Sequence, residues 1–244
     1  MPLDAIYLSA LTGELREKIE GGRIDRVQQP ERDMLLISLR SKGENLKLLL
    51  SAGTGRARVQ LTESNFENPA EPPMFCMLLR KHLVGARIVS LRQPDWERML
   101  IIELEGHDEM GFASRKLLIA ELIGRSSNII LVDGDGRIID CMRRMDFAGD
   151  ALRRMMPGMI YRLPPKQDKP ALMDTEEEQR REMIARADLS QGLDKWLLNS
   201  FSGLSPLVCR ELAFRCSNSP ETLPVLLGAF VDSVKAGDLC PFIL

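Results

Sequence analysis

Two segments decide the fold: Pro73-Met-Phe-Cys-Met-Leu-Leu-Arg-Lys-His-Leu-Val-Gly-Ala-Arg-Ile88 and Glu121-Leu-Ile-Gly-Arg-Ser-Ser-Asn-Ile-Ile-Leu-Val-Asp133. The first predicts an apolar helix over Phe75–Leu83 ending in the basic cluster Arg80, Lys81 and His82, with Gly85 suited to a left-handed cap. The second predicts two strands joined by the tight polar turn Gly124-Arg-Ser-Ser-Asn128. Both set cationic and hydrogen-bonding side chains at the end of a rigid element. That pattern suits a phosphate backbone better than a small-molecule pocket.

Outward from these segments, the chain alternates short strand patterns with turns. Leu3, Ile6, Tyr7, Ala10, Leu11, Leu15 and Ile19 recur at helical spacing before Gly21-Gly22 stops the helix. Strand-like runs follow at Arg23–Gln29, Met34–Arg40, Asn45–Ser51 and Arg56–Leu61. Beyond the basic helix come Arg87–Gln93, Arg98–Glu105, Lys116–Ile123 and Asn128–Val132, with Arg137–Met142 after the turn Asp133-Gly-Asp-Gly136. Short strands in hairpins with few helices predict an α+β fold, an antiparallel β-sandwich with flanking helices. Composition changes at Met156-Pro-Gly158 and through the extended linker Tyr161–Pro170. Then helical signals take over: Thr175 as a cap before Glu176–Glu178, then amphipathic runs at Ser190–Asn199, Ser205–Arg215 and Pro220–Val234. The expected division is a β-rich domain over residues 1–170 and a small all-α domain over 171–244.

With 244 residues, 44% hydrophobic and 28% charged, the composition is that of a globular protein. A net charge of −2 excludes a generic nucleic-acid coat, so any polyanion contact must come from local patches. No apolar run approaches the roughly 20 residues that span a bilayer, and Met1-Pro-Leu-Asp-Ala-Ile lacks a secretory pattern. A cytoplasmic protein with no membrane partner is the expectation. Cys76, Cys141, Cys209, Cys216 and Cys240 contain no C-x-x-C, and His82 and His107 are the two histidines. Buried free thiols are expected, with no metal and no cofactor. No catalytic base stands beside an obvious nucleophile, so no catalytic residue is assigned.

The turn Gln93-Pro-Asp-Trp-Glu-Arg98 joins two strands and displays Asp95, Trp96, Glu97 and Arg98. A carboxylate beside a guanidinium can engage a base edge and a phosphate together, and a tryptophan can stack. The competing reading is a solvated hairpin tip with a weak ion pair. Arg143-Arg144 and Arg153-Arg154 add positive charge near the domain's end.

The segments PPMFCMLLRKHLVGARI and ELIGRSSNIILVD resemble the signature of the NFACT N-terminal domain, found in the bacterial RqcH or fibronectin-binding protein A family and its archaeal and eukaryotic relatives. The resemblance runs from Leu3–Leu8 through Tyr161–Pro170, and Gly203–Leu212 is similar to the family's helix-hairpin segment. It implies an N-terminal portion of a longer chain that continues into a coiled coil and a second RNA-binding domain. It also implies a non-enzymatic module that binds the large ribosomal subunit carrying peptidyl-tRNA. The module would recruit tRNA, alanyl-tRNA in bacteria, for mRNA-independent tailing of stalled chains. The family's Asp-Arg pair for tRNA recruitment maps onto Glu97 and Arg98 after Gln93, with Glu97 one methylene longer. Ser126 stands where many members carry His. The implied tRNA-binding set is Glu97, Arg98, Asp95, Arg80, Lys81, His82, Arg125, Ser127 and Asn128. The fold's similarity to formamidopyrimidine-DNA glycosylases raises an alternative, a lyase using Pro2. The family's historical name raises another, a surface adhesin for fibronectin.

Overall fold

The structure is a computed structural model and describes residues 3–108, 110–144, 153–217, 219 and 221–239. Pro2, Pro220 and Cys240 lie outside the described residues. The chain divides into two compact units. The first holds residues 1–3, 11–94 and 98–164, and the second holds 4–10, 95–97 and 165–244.

Among the described residues, the first unit carries nine strands, all pairing antiparallel: β1 (Arg23–Glu31), β2 (Met34–Ser41), β3 (Glu44–Ser51), β4 (Arg58–Leu61), β5 (Arg87–Arg92), β6 (Met99–His107), β7 (Ala113–Glu121), β8 (Asn128–Asp133) and β9 (Ile138–Cys141). They form one continuous sheet in the order β4-β3-β2-β1-β5-β6-β7-β8-β9. Hairpins make every junction except β1/β5, where the ladder is short: Arg23 pairs with Arg87, flanked by Gly21 N–Ile88 O at 2.9 Å and Gly85 N–Ile24 O at 2.7 Å. The α+β architecture of antiparallel strands with flanking helices is therefore the observed one. β2 and β8 read as near-continuous apolar runs because they are buried along almost their whole length. β7 stops at Glu121, two residues before the expected end, and Leu122 N donates instead to Arg98 O at 2.8 Å.

Between β4 and β5 in the chain runs α2 (Met74–Leu83), burying Phe75, Cys76, Leu79 and Leu83 at helical spacing. Gly85 follows with φ of +85°, a value that would strain any residue bearing a Cβ. At the chain's start lies α1 (Ala5–Ile19), whose Tyr7 N donates to Asp4 Oδ1 at 2.8 Å in a capping contact. Its buried face is Ile6, Leu8, Leu11, Leu15 and Ile19; Tyr7 and Ala10, expected on that face, are exposed.

The second unit packs α3 (Glu177–Ala185), α4 (Leu193–Ser200), α5 (Pro206–Arg215) and α6 (Leu223–Ala236) around Leu172, Leu197, Phe201, Leu212, Leu223 and Leu227. Ser205 caps α5, accepting from Val208 N at 3.3 Å while its hydroxyl donates to Asp4 Oδ2 at 2.9 Å. Thr175 does not cap α3. Its hydroxyl donates to Ala171 O at 2.7 Å, and Glu176 takes the cap position without a side-chain bond. The expected cap fails because Thr175 is buried within the preceding turn.

A buried ion pair closes one end of the sheet in the first unit. Glu121 is fully buried, and Arg153 clamps its carboxylate with two guanidinium nitrogens, one at 2.9 Å. Tyr161 Oη donates to Glu121 Oε1 at 2.7 Å, and the Arg153 guanidinium stands 5.5 Å from the Tyr161 ring centroid. Burial and then the carboxylate hold the Tyr161 phenol protonated far above its ordinary range. Removing one partner of a buried pair strands the other's charge, at a cost of about 3–5 kcal/mol. Glu121→Ala should therefore lose that much stability in urea denaturation, while Glu121→Leu combined with Arg153→Met should lose less than either single change. Equal additivity in the double-mutant cycle would contradict the pairing.

Cys76, Cys141, Cys209 and Cys216 are free and buried, as the composition predicts. Burial raises the Cys141 thiol to about 11 and the Cys209 thiol to about 12. These folded pKa values, with that of Tyr161, lie above the unfolded ones, so the stability they confer is complete below about pH 9. It falls as pH rises, because the unfolded state releases protons that the folded state keeps, with a slope near 1.4 kcal/mol per pH unit per group. Melting temperature under reducing conditions should decline between pH 9 and 11, and less steeply in Cys209→Ala.

Candidate nucleic-acid interface

Three strands meet at one end of the sheet. Met99 opens β6 opposite Glu121, and Glu121 closes β7 opposite Asn128, the first residue of β8. Arg98 precedes Met99, and its backbone is fixed by the Leu122 N bond. From Leu122 the chain enters a 3-10 turn, Gly124–Ser126, where Gly124 has φ of +52°. Arg98 and Arg125 thus belong to the same sheet end. Arg125 is exposed and Arg98 half-buried. Among the described residues, neither side chain makes a hydrogen bond or ion pair.

Ser127 and Asn128 have another task. Both are fully buried. Ser127 Oγ donates to Gly124 O at 2.8 Å, closing the 3-10 turn. Asn128 Oδ1 accepts from Ile129 N and Arg143 N, each at 2.9 Å, and Nδ2 donates to Arg143 O at 2.8 Å. With their polar atoms used internally and no surface exposed, both residues serve to hold the turn in this structure.

The basic end of α2 lies elsewhere. It leads through Val84–Ala86 into the start of β5, whereas Gln93–Arg98 follow the end of β5. Six strand residues cover about 20 Å, so the two basic sites stand at opposite ends of that strand. Arg80 Nε donates to Val27 O at 2.9 Å, which ties it to β1. Lys81 is exposed and His82 half-buried, and both have interactions of their own. Arg80 and Lys81 line an open groove of about 730 Å³ with Arg26, Gln28, Asn68 and Met77.

The tip residues Asp95, Trp96 and Glu97 group with the helical unit. Asp95 Oδ2 pairs with Lys166 Nζ at 2.8 Å, an exposed pair of small energetic weight. Trp96 Nε1 donates to Asp174 Oδ1 at 3.1 Å, and the ring packs against the helical core. The indole is therefore partly covered, neither a free stacking platform nor a solvated tip. Asp95 and Trp96 both have left-handed backbones, φ 47° and 55°, which costs of order 1–3 kcal/mol each outside glycine. Neither Lys166 nor Asp174 carries a sequence signal, because each lies more than 65 residues from its partner in the chain.

Three other arginines face carboxylates of the fold. Arg143 lies 3.8 Å from Asp33, Arg144 bonds Asp140 at 3.0 Å, and Arg153 is bound to Glu121. His107 is exposed at the end of β6.

The fold defines the class: an α+β chain in which a nine-stranded antiparallel sheet is followed by a helical unit. Solved chains share it. The N-terminal part of the fibronectin/fibrinogen-binding protein of Streptococcus suis superposes with a TM-score of 0.84 at 35% identity, covering 94% of this chain and 84% of that one. The family model describing NFACT N-terminal and middle domains matches residues 4–243, and the chain belongs to the NFACT family. It is 38% identical over 244 residues to the Rqc2 homolog RqcH of Bacillus subtilis, covering 99% of this chain and 42% of that protein. It is 33% identical over 156 residues to the human ribosome quality control complex subunit NEMF, covering 62% of this chain and 14% of that one. The chain thus spans about two fifths of the bacterial relative's length. No helix among the described residues is long and apolar enough to cross a membrane.

Asn128→Ala should cost about 1–3 kcal/mol of stability by leaving buried groups unpaired, whereas Arg125→Ala should stay within about 0.5 kcal/mol of the parent. Chemical denaturation of the two variants separates the structural residue from the exposed one.

Proposed function

We propose that this chain is a tRNA- and large-ribosomal-subunit-binding module of a ribosome quality control factor, acting without bond-breaking chemistry of its own in the cytoplasm. The family membership and the names of the relatives support the cellular role. One structural observation carries the molecular reading. Arg98 is anchored through its backbone at the end of a rigid sheet, yet among the described residues its guanidinium has no internal partner. A guanidinium held this way is preorganised for a phosphate or a base edge.

In this reading Arg98 and the Glu97 carboxylate engage exposed nucleotides of the tRNA, and Arg125 steadies the adjoining backbone. Arg80 and Lys81, at the other end of β5, touch the polyanion at a second point about 20 Å away. Two separated contacts fit an extended nucleic acid better than a small ligand. The recruited tRNA is alanyl-tRNA, brought to an obstructed large subunit bearing peptidyl-tRNA for C-terminal tailing without mRNA. Glu97 keeps the charge of the family's aspartate at greater reach.

Arg98→Ala in the full-length protein should abolish tRNA co-purification and tail addition with melting temperature unchanged. Undiminished tRNA recovery from that variant would reject the assignment. With three or four phosphate contacts, affinity should drop roughly thirtyfold between 50 and 200 mM salt. The fibronectin-binding names of the structural relatives support a second reading, an adhesin. Labelling of intact cells with a non-permeant reagent tests it, since only the adhesin reading requires surface label.

A further inference from the structure

Within the helical unit, the tip residues meet two groups that no motif announces. Asp95 and Trp96 are consecutive non-glycine residues in the left-handed region. Aspartate tolerates this conformation because its short polar side chain can bond locally, but a tryptophan adopts it only when its surroundings impose it. The imposing contacts are visible. Trp96 Nε1 donates to Asp174 Oδ1 at 3.1 Å, its ring packs on the helical core, and Asp95 is paired with Lys166 at 2.8 Å. The Asp95–Lys166 pair is more than half exposed on both sides and holds the backbone weakly. The indole–carboxylate bond also lies at the surface, but it is directional and holds a ring packed on the helical core, so it is the stronger constraint of the two.

We infer that Asp174 is a positioning residue: by accepting the indole N–H it locks Trp96 in the left-handed conformation and so sets the direction in which Glu97, next in the chain, presents its carboxylate to nucleic acid. This inference rests on the reading of Glu97 and Arg98 as the nucleic-acid contact. Lys166 assists through its pair with Asp95. Its ammonium is stabilised first by Asp95 and more weakly by Glu97, so it offsets acidic charge that would repel a phosphate.

The test uses full-length protein and fluorescently labelled bulk tRNA. Trp96→Phe keeps the ring and removes the donor, and Asp174→Ala removes the acceptor. Each should weaken binding about five- to tenfold, the worth of one directional hydrogen bond. The double variant should be no weaker than either alone, because both delete one interaction. Asp174→Asn, whose amide oxygen still accepts, should bind within about twofold of the parent, a rescue that a purely charge-based role does not give, and all variants should keep the parent's melting temperature, which a bulk-stability role would lower. Wild-type affinity in both Trp96→Phe and Asp174→Ala, or Asp174→Asn as weak as Asp174→Ala, would overturn the inference. Should Asp174→Ala fail to fold, Trp96→Phe against Asp174→Asn carries the comparison. Arg98→Ala is measured in parallel. If it too binds normally, the underlying reading fails; if it alone abolishes binding, only the positioning role of Asp174 fails.

Discussion

A carboxylate with no solvent must find a cation, and the way Glu121 meets that demand organises the first unit. Its register partners are Met99 on β6 and Asn128 on β8. The Arg153 clamp therefore fastens the segment after β9 to the same sheet end from which Arg98 and the Gly124–Ser126 turn project. Burying a lone charge in a low-dielectric core is prohibitive, so the pair permits little slack in the strands it joins. A rigid floor is what an exposed guanidinium needs if it is to meet a ligand without first being ordered.

The cations of this chain divide by fate. Arg143, Arg144 and Arg153 face carboxylates of the fold itself. Arg98 and Arg125 have no such partner among the described residues. With a net charge of −2, attraction for a polyanion must come from such local surplus rather than from the whole chain. Basic pairs that look alike as sequence are thus different objects once the acids opposite them are known.

Much of the candidate site could be read from the chain. The Phe75–Leu83 helix announced itself by apolar spacing and Gly85, and the structure gives Met74–Leu83. The strand runs were legible because continuous apolar stretches such as Ile129–Val132 have few alternatives between turns. As sequence, Ser127 and Asn128 look like ligand contacts because hydroxyl and amide groups stand beside an arginine, whereas the fold buries both. Only the return of the chain at Arg143 shows that Asn128 serves the backbone. Thr175 misled in the same way: an apparent helix cap followed by glutamates, but buried and bonded backward to Ala171.

What the sequence determined by itself was local. Periodicity, turn residues and charge placed the helices, the hairpins and the Gln93–Arg98 loop, because those signals act over a few residues. What only the tertiary structure decided was which polar groups are already satisfied. Asp174 meets Trp96 across 78 positions, Arg153 meets Glu121 across 32, and Arg80 is tied to a carbonyl 53 residues away. Partnership at such range follows from where folding brings the backbone, and no short-range pattern encodes it.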